Sequence, residues 1–203
     1  MWLRLLEVGA LKADNYRACS SWIENTPIDL NAQDPGIKQQ DFLQMAEGEN
    51  SCRWDVLSLS LVLNFVSEPR ERGTVSHSHG FRSLMRTGRM LRLAHLFLDA
   101  SRTRSGLLFV TVGVVQGSRT VADHLAQLPL PCVQNSRYLT LSHFEGLMKC
   151  VGFEKIRERW RVGGKIGYWL FRKANPTSLG ESVYERKSIL RSGKTRNNFA
   201  ILL

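Results

Sequence analysis

Apolar positions along this chain fall into two alternating spacings. Short apolar runs of strand length predict β-strands at Leu3 to Val8, around Ile28, near Ile37 to Gln39, at Trp54 to Leu61, at Leu107 to Val112, near Ile156 to Trp160 and at Gly167 to Arg172. Between them, three-and-four spacing predicts helices in SLMRTGRMLRLAHLFLD and TLSHFEGLMKCVGF. In the second, Leu141, Phe144, Leu147, Met148 and Val151 share one face, and Gly152 follows as the stop. The stretch WDVLSLSLVLNFV is apolar nearly throughout, which predicts a central strand covered on both faces. KSILRSGKTRNNFAILL predicts a cationic loop followed by an apolar, strand-like tail. Strands alternating with helices predict an α/β domain, a mostly parallel sheet with helices on both faces, and 203 residues suit a single domain.

Charge changes the picture more than composition does. Residues 1–68 hold 5 Lys+Arg and 10 Asp+Glu, net −5; subtracting these from the totals of 28 and 18 leaves 23 and 8, net +15, for residues 69–203. A basic half of this size attracts a polyanion, and nucleic acid is the expected one. No apolar stretch approaches the roughly 18 to 20 residues that span a bilayer, so no membrane partner is expected. Arg4 and Glu7 interrupt the sole candidate for a secretory signal. Cys19, Cys52, Cys132 and Cys150 are scattered without a CxxC pair, which predicts reduced intracellular thiols and no zinc site. His77 and His79 lack acidic or thiol companions and are expected in a solvated loop, so no metal is expected.

In an open α/β sheet the ligand site lies at the carboxyl ends of the strands, where strand order reverses. Gly9 follows the first predicted strand and permits a tight turn, with Glu7 two residues earlier at the mouth of the same crevice. Asp29, 20 residues beyond Gly9, ends the second strand and is placed to accept hydrogen bonds from both ribose hydroxyls. Asp41 follows the third strand and is expected to accept from an adenine amine, with Phe42 or Leu43 against the ring face. Ala10, Leu11 and Lys12 stand where a G-x-G-x-x-G fingerprint would continue, which disfavours a pyrophosphate cradle. The ordered set therefore favours an adenosine without pyrophosphate, as in S-adenosyl-L-methionine, over a nicotinamide dinucleotide.

The segments LLEVGAL, IDLN, QDF, DVLSLSLVLNFV, RMLRLAHLFL, LPLPCVQNSRY and RNNFAILL resemble those of the fungal 25S ribosomal RNA adenine-N1 methyltransferases, and the similarity runs from the first strand to the last residue. The resemblance implies a Rossmann-like methyltransferase fold, S-adenosyl-L-methionine as cofactor, 25S rRNA of the pre-ribosome as partner, and a place in the nucleolus of the nucleus. It assigns Gly9 and Asp29 to the family's cofactor-binding glycine and aspartate. Animal relatives of the family act as S-adenosylmethionine sensors, so a non-catalytic sensor that regulates a protein partner is the rival reading. Methylation at N1 needs positioning rather than a triad, and it needs an unpaired or flipped adenine, because N1 lies on the Watson–Crick edge. Asn64 is expected at the adenine edge and Phe65 on its face, while capping and core packing remain the alternative roles for this pair. Asn135, Ser136, Arg137 and Tyr138 form a second polar cluster for the target base or phosphates. Arg157, Arg159, Arg161, Lys165, Arg172 and Lys173, with Lys187, Arg191, Lys194 and Arg196 beyond, are the expected phosphate contacts.

Three departures from the family pattern stand out. Relatives carry sequence ahead of the first strand, so the domain at 1–203 is expected to be incomplete at its N-terminus. Residues 74–87 and 111–127 interrupt otherwise continuous motifs. Both are short and open near a Thr-Val that a GT-type donor encodes, so both are read as translated introns.

Overall fold

A computed structural model describes residues 2–63, 88–99, 106–113, 136–160, 166–177, 181–193, 196 and 199–203. Its frame is a seven-stranded sheet formed by β1 (Leu3–Val8), β2 (Ile23–Asp29), β3 (Lys38–Gln39), β4 (Val56–Ser60), β5 (Leu107–Gly113), β6 (Phe153–Arg159) and β7 (Ile166–Lys173). The strand order is β3-β2-β1-β4-β5-β7-β6. Strands β1 to β5 pair in parallel, and β7 runs antiparallel between β5 and β6. From β1 the chain steps outward through β2 and β3, then returns to lay β4 on the other side of β1. Strand order thus reverses between β1 and β4, which opens a crevice at their carboxyl ends. At the amino ends of the same pair, the Arg4 guanidinium donates to both carboxylate oxygens of buried Asp55, at 3.0 and 3.1 Å, and fixes the two strands against each other.

The main core lies on one face of the sheet. Leu6 and Val8 of β1, Leu57 and Leu59 of β4, Leu108, Val110 and Val112 of β5, and Trp169 and Phe171 of β7 are buried there, together with the helix at 88–97 and the helix Leu141–Val151. The second helix follows its sequence pattern. Thr140 caps it by accepting from the His143 N–H at 3.0 Å, and Gly152 ends it in the left-handed conformation at φ +93°. Its buried residues are Phe144, Leu147, Met148 and Val151, and Phe144 meets Trp169 and Phe171 edge-on at centroid distances of 5.6 and 6.0 Å.

Several boundaries differ from the sequence expectation. The fourth strand begins at Val56, because Trp54 turns aside to bridge Leu98, and it ends at Ser60, because Leu61 adopts φ +60°. It is also less apolar than expected: Leu57 and Leu59 face the core, while Ser58 and Ser60 pair in register with Phe109 and Thr111 on the opposite face. The sixth strand starts earlier, at Phe153, and a bulge between Lys155 and Arg157 leaves Ile156 exposed, which breaks the expected alternation. The tail Phe199 to Leu203 is buried but forms no strand. It lies against the start of the 88–97 helix, where a side chain at Gly88 would strike the backbone of Leu202 and Leu203. Residues 111–113, the start of the second suspected insertion, complete β5 and pair with both neighbours, Ser60 with Thr111 and Gly113 with Ile166. Residues 74–87 and 114–127 lie outside the described residues.

Candidate functional site

The crevice is assembled from three strand ends. After β1, Gly9 takes φ +80°, and its N–H donates to the Ile28 carbonyl at 2.9 Å. A Cβ at this position would lie 2.5 Å from Val62 Cγ1 and 2.7 Å from the Ser60 carbonyl oxygen. Glycine is therefore required twice over, by its dihedral and by the closeness of the β4 exit. The space that a side chain would take belongs to the protein's own next wall.

At the end of β2, half-buried Asp29 accepts the Asn31 N–H through Oδ1 at 2.7 Å, an Asx turn that aims the carboxylate back across the strand end. Its Oδ2 has no hydrogen-bond partner among the described residues, so an acceptor stands at the crevice beside the Gly9 turn. Past β3, Asp41 caps the short turn Phe42–Gln44 and accepts the Leu43 N–H at 2.9 Å. Phe42 and Leu43 are largely taken up by the core: Phe42 is 3% exposed and packs edge-on against Phe97 at 5.6 Å, and Leu43 is buried with it.

Glu7 is 1% exposed, and both of its oxygens are engaged, by Asn15 Nδ2 at 2.6 Å and Asn25 Nδ2 at 2.9 Å. It does not project freely into the crevice; it ties the loop after Gly9 to β2. A second tie runs beside it: the Tyr16 hydroxyl lies 3.0 Å from Ser58 Oγ, which is 3.4 Å from Ser60 Oγ. Burial raises the Tyr16 pKa and keeps the phenol a neutral donor. Asn15, Tyr16 and Asn25 escaped sequence reasoning because their partners stand on other elements, 8, 42 and 18 positions away. The serines were legible as alternate polar positions in LSLS.

The second cluster is held together by the C-terminal segment. Ser136 Oγ donates to the Phe199 carbonyl and accepts the N–H groups of Tyr138 and Leu139. Arg137 donates to the Gly193 carbonyl at 3.0 Å, Arg196 donates to that of Ser192 at 2.9 Å, and Lys187 Nζ sits 5.3 Å from the Tyr138 ring centroid. Burial lowers the Lys187 pKa. Arg159 is exposed on the edge strand β6. Asn64, Phe65, Asn135, Arg161 and Lys165 lie outside the described residues. Among the described residues no group of three or more His, Cys, Asp and Glu is arranged to hold a metal ion, and no helix is long and apolar enough to cross a membrane.

Comparison with known proteins adds the following. The family model described as 25S rRNA (adenine(2142)-N(1))-methyltransferase, Bmt2, matches residues 1–201. The 25S rRNA adenine-N(1) methyltransferase of Schizosaccharomyces pombe is 29% identical over 197 residues, covering 97% of this chain and 59% of that protein. The 25S rRNA (adenine(2142)-N(1))-methyltransferase of Saccharomyces cerevisiae is 27% identical over 201 residues, covering 98% of this chain and 48% of that protein. The chain thus spans about half the length of the curated relatives it matches. Among solved structures, a 16S rRNA (adenine(1408)-N(1))-methyltransferase from Catenulisporales acidiphilia superposes with a TM-score of 0.51 at 10% identity, covering 87% of each chain. The pyocyanin biosynthetic protein PhzM gives 0.50 at 13% identity over 85% of this chain and 50% of its own. At such identities the likeness establishes the fold, a Rossmann-like methyltransferase sheet.

Proposed function

This chain belongs to the 25S rRNA (adenine(2142)-N(1))-methyltransferase family, Bmt2, and from that membership we propose that it binds S-adenosyl-L-methionine in the β1/β4 crevice and methylates N1 of an adenine in large-subunit ribosomal RNA. The observation that carries the reading is the pairing of Gly9, forced to φ +80° against the β4 exit, with Asp29 at the neighbouring strand end, whose Oδ2 has no partner among the described residues. These features fit the proposed cofactor. One glycine turn without further glycines suits an adenosine that carries no pyrophosphate, and a carboxylate with an open oxygen suits a ribose diol.

When bound, S-adenosyl-L-methionine supplies an electrophilic methyl on a sulfonium. The residues of this chain supply position. Glu7, Asn15 and Asn25 hold the turn that carries Gly9 against β2, and Tyr16 with Ser58 holds the following loop on β4. Adenine N1 already carries an in-plane lone pair, so no side chain needs to remove a proton before attack, and in-line alignment dominates the rate. The target adenine has to be unpaired or flipped out to present that edge. We assign its edge to Asn64, on the sequence reading, and the phosphates to the basic second half. The nucleolus is the expected place of work, checked by imaging a tagged copy.

The test combines two measurements on the full chain. Binding of S-adenosyl-L-methionine by calorimetry is expected, and so is transfer of labelled methyl to unmodified large-subunit rRNA. Cofactor binding without transfer would replace the enzyme reading with that of a non-catalytic sensor, and absence of both would remove the site assignment.

A further inference from the structure

The two faces of the sheet are dressed differently. One carries the main core. On the other face of β5, β7 and β6, strand register lines up Phe109 with Leu170 and Thr111 with Tyr168, and then Leu170 and Tyr168 with Arg157 and Arg159. Tyr168 is 40% exposed, and its ring stacks on the half-buried Phe109 at a centroid distance of 6.1 Å with the planes 20° apart. Arg157 and Arg159 are exposed and make no ion pair among the described residues, whereas Arg172, next along this face, is engaged by Glu154 at 2.7 Å. Two guanidinium groups without carboxylate partners among the described residues thus stand on β6 beside an accessible aromatic ring, Arg159 opposite Tyr168 and Arg157 one pair further along.

That combination has a specific chemistry. A partly exposed ring offers a stacking surface to an unpaired base, and the arginines of the neighbouring strand offer cations to its phosphates. What favours RNA over a protein partner is charge: β5, β6 and β7 lie in the half of the chain that carries net +15, which attracts a polyanion. We propose that this face of β5, β7 and β6 is a platform for single-stranded RNA, with one base stacked on Tyr168 and its phosphates held by Arg157 and Arg159. The proposal rests on the reading of ribosomal RNA as substrate and adds a binding surface to it. It also accounts for how a segment with an unpaired adenine is kept at the protein once its helix has opened.

The test uses the full chain and a short unstructured RNA labelled with fluorescein, together with a version carrying 2-aminopurine whose fluorescence is quenched on stacking. Stacking on one aromatic side chain is worth roughly 1–3 kcal/mol per base, so Tyr168→Ala is expected to weaken binding roughly 5- to 150-fold and to abolish the quench, while Tyr168→Phe keeps both. Removing Arg157 and Arg159 together is expected to flatten the log–log salt dependence by about 1.4, two charges at about 0.7 each. Cofactor binding of the Tyr168 variants stays unchanged, and Tyr168→Phe keeps the melting temperature, while Tyr168→Ala loses the stack on Phe109 and melts a few degrees lower. Wild-type RNA affinity in Tyr168→Ala overturns the platform, and so does self-association that Tyr168→Ala abolishes without touching RNA binding. Methyl transfer to rRNA is measured in parallel. Strand binding that depends on Tyr168 without any transfer leaves the platform standing and removes the substrate reading, and transfer with Tyr168-independent binding does the reverse.

Discussion

Replacing Gly9 by alanine puts a methyl group where the walls of the crevice already touch. The new Cβ would sit 2.5 Å from Val62 Cγ1 and 2.7 Å from the Ser60 carbonyl oxygen, well inside contact distance, in a backbone held at φ +80°. The dihedral alone costs an L-residue about 1–2 kcal/mol, and overpacking adds about 1–3 kcal/mol, so the expected loss is about 2–5 kcal/mol. For a chain of this size that corresponds to a fall in melting temperature of about 4–20 °C. Relief comes by pushing the β1 turn away from the β4 exit, which widens the crevice, so affinity for S-adenosyl-L-methionine is expected to drop with stability. Adding Val62→Ala removes the side-chain clash but neither the clash with the Ser60 carbonyl nor the dihedral. Partial rescue is therefore expected, with a favourable coupling of about 1 kcal/mol in the double-mutant cycle. Thermal melts and titration calorimetry on the four proteins check this. Gly9→Ala with unchanged melting temperature and unchanged cofactor affinity would refute the reasoning.

Asp29→Asn keeps an acceptor for the Asn31 N–H and so preserves the turn, but replaces the open oxygen with a donor; cofactor affinity measured by calorimetry is expected to fall roughly 10- to 150-fold, the worth of a hydrogen bond to a charged group, at near-constant stability. Phe144→Ala empties a fully buried site between Trp169 and Phe171 and is expected to destabilise by about 3–5 kcal/mol in urea denaturation. His95 and His143 are both held below their ordinary pKa of 6.5 by burial, which for His95 outweighs its contact with the Ala174 carbonyl. The unfolded chain therefore takes up protons that the folded chain does not, and stability measured by melts falls as pH drops below about 6.5; His95→Gln is expected to reduce that slope.

The frame was legible wherever local pattern and tertiary packing agree. Most of the strands and the helix Leu141–Val151 follow from apolar period and from Gly152 as a stop, which are local signals, while the two-residue β3 is polar and the Thr140 cap emerges from the structure. Gly9 and Asp29 were placed by spacing alone, since a strand end, a turn and the next strand end occupy fixed lengths of chain. What escaped depends on partners distant in sequence. Phe42 lies just past a strand end as a ligand-facing residue would, yet Phe97, 55 positions on, claims its ring. Glu7 looks like a mouth residue until Asn15 and Asn25 are seen to satisfy it. The apolar tail carries a strand's composition, but it finds the helix at 88–97 rather than a free sheet edge. The Arg159 and Tyr168 pairing required the bulge between Lys155 and Arg157, which no local pattern announces.

Proposed methyl transfer to adenine N1 from the β1/β4 crevice leaves a readable mark, because an N1 methyl blocks base pairing: reverse transcription is run across large-subunit rRNA, unmodified beforehand and incubated with this protein and S-adenosyl-L-methionine. A new stop at one adenine is expected, one that requires the cofactor and fades with Asp29→Asn. Label carried on another base or atom, or a stop of undiminished strength in Asp29→Asn, would contradict it.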